Sequence, residues 1–185
     1  MEIFLVDPDA LALEAMAEHI RRGDPQAVIR TFPSQEALAR WLEEKETPIL
    51  RVQTFGNFEV FWGDQPVRFE RSKTRELFAY LIDRRGARCT MGELISVLWE
   101  GRPDTASLRS QLRSLITDLR SAFRTLGVEE AVIKGRNYIA VDPAKVDCDY
   151  YRYLAGEKRT AFRGEYMSNY SWAETTVGSL QQKKA

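Results

Sequence analysis

Over the first fifty positions, short apolar runs alternate with stretches in which apolar residues recur every three or four places. Ile3 to Val6 reads as a strand, and Leu11, Leu13, Ala15, Met16 and Ile20 then mark one face of a helix. Gly23, Asp24 and Pro25 break that helix. Ala27 to Thr31 can form a second strand, and Ser34 is placed to cap a helix that turns Leu38, Trp41 and Leu42 inward. The order βαβα predicts two parallel strands with covering helices, closed at Pro48.

From Arg51 the period changes to two. RVQTFGNFEVFWGDQPVRFE alternates apolar and polar residues, with turn signals at Gly56-Asn57 and Gly63-Asp64, and predicts an antiparallel meander. Ser72 opens a helix with Leu77, Phe78, Leu81 and Ile82 inward, and Gly86 suits its end. Thr90 and Glu93 have the spacing of a capping box for a shorter helix, Met91 to Trp99. Gly101 and Pro103 separate it from a long amphipathic helix, beginning at Asp104 or Thr105 and stopping at Gly127, whose apolar stripe is Leu108, Leu112, Leu115, Ile116, Leu119 and Phe123. AVIKGRNYIAV then reads as a hairpin with a basic tip, Lys134 to Asn137. The remainder predicts one or two short helices carrying aromatic residues, followed by a polar tail that frays. The expected fold is therefore an α/β fragment over residues 1–48, an α+β unit over 51–142 (meander, three helices, hairpin) and a short third segment over 143–185.

A length of 185 residues suits one complete domain with small neighbours, and a hydrophobic fraction of 44% supports a true core. The formal charge is zero, but its distribution is uneven: residues 1–50 carry 5 basic and 10 acidic side chains, 51–150 carry 16 and 14, and 151–185 carry 6 and 3. This excludes binding by bulk positive charge and leaves room for a local basic face. Cys89 and Cys148 are too far apart in sequence for a zinc-ligand spacing and provide no disulfide framework. No apolar run approaches the roughly 18 residues of a membrane span, and no signal core follows the N-terminus, so a cytoplasmic location without membrane contact is expected.

The long helix has a second stripe, made of Arg109, Arg113, Thr117, Arg120 and Arg124. It can be a solvated face, as any amphipathic helix has, or a surface for a polyanion. Ser107, Ser110, Ser114 and Thr117 interleave with the arginines as short donors able to approach phosphates. Elsewhere the chemistry is sparse. His19 is the one histidine, so no Ser-His-Asp triad has partners, and no GxxxxGK[ST] loop occurs. Asp7 and Asp9 read more simply as helix-capping acids than as a metal pair. Trp41, Trp62, Trp99 and Trp172 read as packing residues. No enzyme, catalytic residue, metal site or cofactor is expected.

The order meander, three helices, basic-tipped hairpin resembles the OmpR/PhoB-type winged helix over residues 51–142. ELISVLW (93–99) looks like the helix before the recognition helix, LRSQLRSLITDLRSAF (108–123) like the recognition helix itself, and KGRNYIAVDP (134–143) like the wing. VDPAKVDCDYYRYL (141–154) is similar to the junction in antibiotic-regulatory activators where a winged helix passes into a helical activator domain, and AFRGEYMSNYSWAE (161–174) resembles the start of that domain. FLVDPDALALEAM resembles the first strand and helix of the receiver of two-component response regulators. Pro8 stands where the second acid of the usual adjacent pair belongs, and the chain turns into the winged helix at Arg51 before a phosphoacceptor strand. The segment therefore reads as a truncated receiver without phosphorylation.

The resemblance implies a transcription regulator whose partner is double-stranded DNA. A major groove about 12 Å wide admits one helix, and arginine bonds bidentately to guanine. Arg109, Arg113 and Thr117, with Ser110 and Ser114 beside them, are the expected base readers, and Arg120 and Arg124 the expected phosphate contacts. Arg136, helped by Lys134 and Asn137, is expected at a minor groove, the alternative being a polar side chain that keeps a hairpin tip soluble. RNA polymerase is a further expected partner, and the open edges of the first segment can be relieved by packing on the chain's own meander or by pairing with a second copy, of which a homodimer is the preferred expectation. The rival reading is a protein-interaction module whose winged helix has lost DNA affinity.

Overall fold

The computed structural model describes residues 2–46, 50–157 and 160–184, and the chain divides into two units, Met1–Pro48 and Ile49–Ala185. In the first unit β1 (Glu2–Val6) and β2 (Val28–Phe32) pair in parallel, Glu2 opposite Val28 and Val6 opposite Phe32. Between them runs α1 (Ala10–Gly23), and α2 (Gln35–Glu46) follows β2. Asp9 caps α1 by accepting the Leu11 N–H at 2.9 Å, and Asp7 accepts the Asp9 N–H at 2.8 Å, so both carboxylates organise the start of the helix. Ser34 accepts the Ala37 N–H at the start of α2. The core of this unit is small. Phe4, Phe32 and Trp41 meet with ring centres 5.3 to 6.2 Å apart, and Leu13 and Ala17 are buried. Leu11, expected on the inner face, is 75% exposed, because two strands are too narrow to cover the start of α1. The closure expected at Pro48 lies outside the described residues.

The second unit begins with the meander β3 (Leu50–Gln53), β4 (Glu59–Trp62) and β5 (Gln65–Pro66), antiparallel throughout. Alternation places Leu50 and Val52 inside and Arg51 and Gln53 outside. Next come α3 (Ser72–Asp83), the short β6 (Cys89–Thr90), α4 (Met91–Leu98) and α5 (Ala106–Thr125). The capping box at α4 is present, with the Glu93 N–H on the Thr90 hydroxyl at 3.3 Å and the Thr90 N–H on the Glu93 carboxylate at 3.4 Å. The three helices enclose Leu77, Phe78, Leu81, Leu94, Leu112, Leu119 and Phe123, and Phe78 meets Phe123 edge-on at 4.9 Å. The hairpin β7 (Val132–Lys134) and β8 (Tyr138–Val141) extends through β8 to β6, giving the order β6-β8-β7.

Residues 143–185, expected as a separate stub, belong to the same core. β9 (Val146–Cys148) lies parallel to β3 with Leu50 opposite Val146, which makes the sheet β5-β4-β3-β9, and α6 (Asp149–Leu154) follows directly. The chain returns to the meander, where the Met167 N–H bonds to the Thr54 carbonyl and the Ser168 N–H to that of Gly56. The tail expected to fray forms α7 (Glu174–Lys184), with Leu180 buried and the Thr176 hydroxyl on Asp83. Among the described residues no helix is long and apolar enough to cross a membrane.

Candidate nucleic-acid interface

Thr105, rather than Asp104, caps α5: its hydroxyl accepts the Leu108 N–H at 3.3 Å. From there the apolar stripe Leu108, Leu112, Leu115, Ile116, Leu119 and Phe123 is buried along its whole length. A helix so anchored cannot rotate, and it holds the opposite face outward. That face carries Arg109, Ser110, Arg113, Ser114, Thr117 and Arg124 exposed, with Arg120 half-buried. The helix stops at Gly127, whose φ of 75° suits the left-handed position after a helix end.

The four arginines differ in their surroundings. Arg109 forks onto Asp104 through Nε at 2.8 Å and Nη2 at 2.6 Å. Arg124 forks onto Glu129 with two contacts of 2.9 Å, and Arg120 reaches the same carboxylate. The hydrogen bonds from Arg124, and then the charges of both arginines, hold the Glu129 carboxyl below its ordinary range. Arg113 has no side-chain hydrogen bond or ion pair among the described residues, and it stands near the middle of the exposed face. Ser114 and Thr117 donate their hydroxyls to the carbonyls of Ser110 and Arg113, leaving lone pairs turned outward.

At the hairpin, the Gly135 N–H bonds to the Tyr138 carbonyl at 2.9 Å and closes the tip. Tyr138 folds across Gly135 so closely that an added Cβ would fall 2.2 Å from its ring, so glycine is required there. Lys134, Arg136 and Asn137 project into solvent on either side. Arg88 joins them: its guanidinium lies 4.6 Å from the centre of the Tyr138 ring, which brings a fourth polar side chain to the hairpin. Sequence reading missed Arg88 because it belongs to a different element. Its signal was the run Arg84-Arg85-Gly86-Ala87-Arg88 immediately before β6. Arg71, exposed at the start of α3, pairs with Asp118 of α5 at 3.3 Å, and this pair was equally invisible along the chain.

Chemically, the helix face offers one unengaged guanidinium, Arg113, two, Arg109 and Arg124, that grip carboxylates in the planar geometry that also suits phosphate, and Arg120 with a single contact to Glu129. The hairpin adds unpaired cations at its tip. No family model matches the chain, and no curated protein matches it. One solved structure that the chain resembles is that of EmbR from Mycobacterium tuberculosis in complex with a low-affinity phosphopeptide, with a TM-score of 0.62 and 19% identity over 74% of this chain and 43% of that one, a likeness in fold to a protein of which this chain spans less than half.

Proposed function

We propose that the chain is a DNA-binding transcription regulator that lays α5 in a major groove and the β7–β8 tip in an adjacent minor groove. The observation that carries this reading is the unengaged Arg113 at the middle of an outward face whose opposite side is locked in the core. Arg109, Arg113 and Thr117, with Ser110 and Ser114, read bases. Arg120 and Arg124 exchange Glu129 for backbone phosphates, and Arg136 with Lys134 and Asn137 enters the minor groove.

The function is binding without catalysis and needs no cofactor. The OmpR/PhoB type and the antibiotic-regulatory activators are the finer assignment we favour, with RNA polymerase as a second partner and a cytoplasmic setting. The first unit, with its strand-helix-strand-helix order, acts in pairing two copies rather than in receiving a phosphoryl group. Filter binding on bulk duplex DNA tests the central claim. Affinity that falls steeply with salt supports it, because each neutralised phosphate releases counterions. No binding at low salt favours the protein-interaction module instead.

A further inference from the structure

In β1 the composition of the strand and its position disagree. After Glu2 the strand is apolar throughout, Ile3-Phe4-Leu5-Val6, which suits a strand flanked on both sides, whereas β2 carries Arg30 and Thr31, which suit an edge. Yet among the described residues β1 has β2 as its only neighbour, and none of its residues is buried.

Backbone direction shows what the open edge offers. The Asp7 N–H bonds to the Phe32 carbonyl across the sheet. Successive residues of a strand turn their N–H and C=O groups to opposite sides, so Ile3 and Leu5 face β2 as Asp7 does, and Phe4 and Val6 face the open edge. The side chains along that edge are apolar on both faces. On the α1 face Leu5 joins Ala15, Met16, His19 and Ile20 around a cavity of about 350 Å³ whose lining has no acid, lysine or arginine. On the other face Phe4 touches Trp41 of α2 and is still 38% exposed.

We propose that this edge pairs with the β1 edge of a second copy, antiparallel and centred on Phe4, so that two half-sheets join in the order β2-β1-β1-β2. The interface rests on the reading that the first unit pairs two copies, and it gives that pairing a register. Self-complementarity identifies the occupant. A strand of 5 residues overlaps itself fully only about its middle one, and there Phe4 meets Phe4 of the second copy in a hydrogen-bonded pair, because both turn their backbone groups to this edge. Ile3 then falls opposite Leu5 in the closer, non-hydrogen-bonded pair on the side of the cavity, and Glu2 falls opposite Val6, so no like charges meet. The helices fit as well. Two strands at about 4.8 Å each make one copy about 9.6 Å wide, within the spacing of about 8 to 10 Å at which packed helices lie, so Met16 and Ile20 of the two α1 helices can close the cavity from both sides. A polar peptide could take the backbone bonds but would leave the apolar cavity unmatched.

The test uses the full chain. Sedimentation of the parent should show a dimer, and Val6→Pro and Met16→Glu should each halve the sedimenting mass. Proline removes an N–H that faces the open edge and is tolerated at edge positions, and Met16 is exposed, so the amide spectra of both variants should stay dispersed. Val6→Ala, which keeps the N–H, should remain dimeric. Under mild oxidation Phe4→Cys should form a disulfide-linked dimer well before Val28→Cys on β2, since facing Cα atoms about 5.5 Å apart lie within disulfide reach. A parent dimer that persists in either Val6→Pro or Met16→Glu, or that cross-links no faster through Phe4→Cys than through Val28→Cys, overturns this edge and leaves pairing through residues 1–48 standing. A monomeric parent, or a dimer that survives deletion of residues 1–48, overturns the pairing and the edge with it. Slow hydrogen exchange at Phe4 and Val6 in such a monomer would assign the edge to a strand of the same chain.

Discussion

Asp149, at the first position of α6, accepts both the amide N–H and the hydroxyl of Thr54, 95 positions earlier, at 2.9 and 2.6 Å. The same carboxylate takes the N–H groups of Phe55 and Tyr150, at 3.0 and 2.8 Å. Four donors from two distant stretches converge on one side chain, and Thr54 is wholly buried. Charged hydrogen bonds of this kind contribute about 1.5 to 3 kcal/mol, and removing the acceptor strands its donors.

Asp149→Ala should therefore destabilise the second unit by about 2 to 4 kcal/mol. Asp149→Asn keeps one acceptor oxygen and should cost less. Urea unfolding of each variant, at unchanged m-value, checks the order. Equal stability of the alanine variant and the parent would show that the junction is incidental.

Arg113 and Arg120 should separate in DNA binding. If Arg113 reads a base, Arg113→Ala costs about 1 to 3 kcal/mol on the selected site and relaxes preference at one position. If Arg120 contacts a phosphate, Arg120→Ala should weaken all sequences alike. Titrations against the selected site and against scrambled duplex distinguish the two patterns, and equal small losses in both would sink the assignment.

Glu129 restrains two of the arginines, so Glu129→Gln should tighten binding to bulk duplex and steepen its salt dependence by about one unit of slope. The pH dependence has a defined sign. The folded carboxyl titrates below its ordinary range because Arg124 and Arg120 favour the charged form, so the cluster's contribution is complete above the unfolded value of about 4.3 and disappears as pH falls through the folded one. Between about pH 5 and pH 8 the restraint should be constant. A side-chain carbon titration of Glu129 by NMR gives the midpoint, and a midpoint above that of a free glutamate would refute the pairing.

The cysteines give a test of packing. Burial pushes the Cys89 thiol up to about 11 and the Cys148 thiol up to about 12, and neither side chain meets solvent. At about pH 8 neither should form the thiolate that alkylation requires. Iodoacetamide should leave the folded chain unmodified and label both residues in urea, with the labelling midpoint matching that of unfolding. Modification of either in native buffer would show an opening that the packing does not provide.

What could be read in the sequence was whatever local period and local caps determine. The α5 stripe, the Thr90–Glu93 capping box and the Gly135 hairpin tip each depend on residues within a turn or two, and each can be located from spacing alone. Tertiary partnership decided the rest. Nothing near Arg109 in a helical wheel announces Asp104, which lies outside the helix, and Glu129 reaches Arg120 from beyond the helix end. The pairing of β9 with β3 joins residues almost a hundred positions apart, and it converts a supposed stub into part of the core. Leu11 shows the opposite error: its spacing is right for an inner face, but the two-stranded sheet is too small to bury it.

The first unit poses the remaining test. β1 and β2 leave open edges, and Phe4, Met16, Val28 and Leu42 remain exposed on a unit with few buried residues of its own. Two-stranded sheets are marginal in isolation, and apolar surface of this kind is relieved by association. If the chain binds DNA as proposed, linking two copies raises the effective concentration at a second half-site without any new contact. Pairing of two copies through residues 1–48 should therefore make the intact chain a dimer. Deleting those residues should leave a folded monomer, since residues 49–185 have their own core. The deletion should bind a two-site operator more weakly and a single half-site almost as well. Beryllofluoride should change neither assembly nor affinity, since among the described residues the sheet of this unit consists of β1 and β2 alone. Sedimentation of both proteins, with and without the mimic, decides each part. An intact chain that stays monomeric at high concentration refutes the pairing, and a shift that depends on beryllofluoride refutes the loss of phosphorylation.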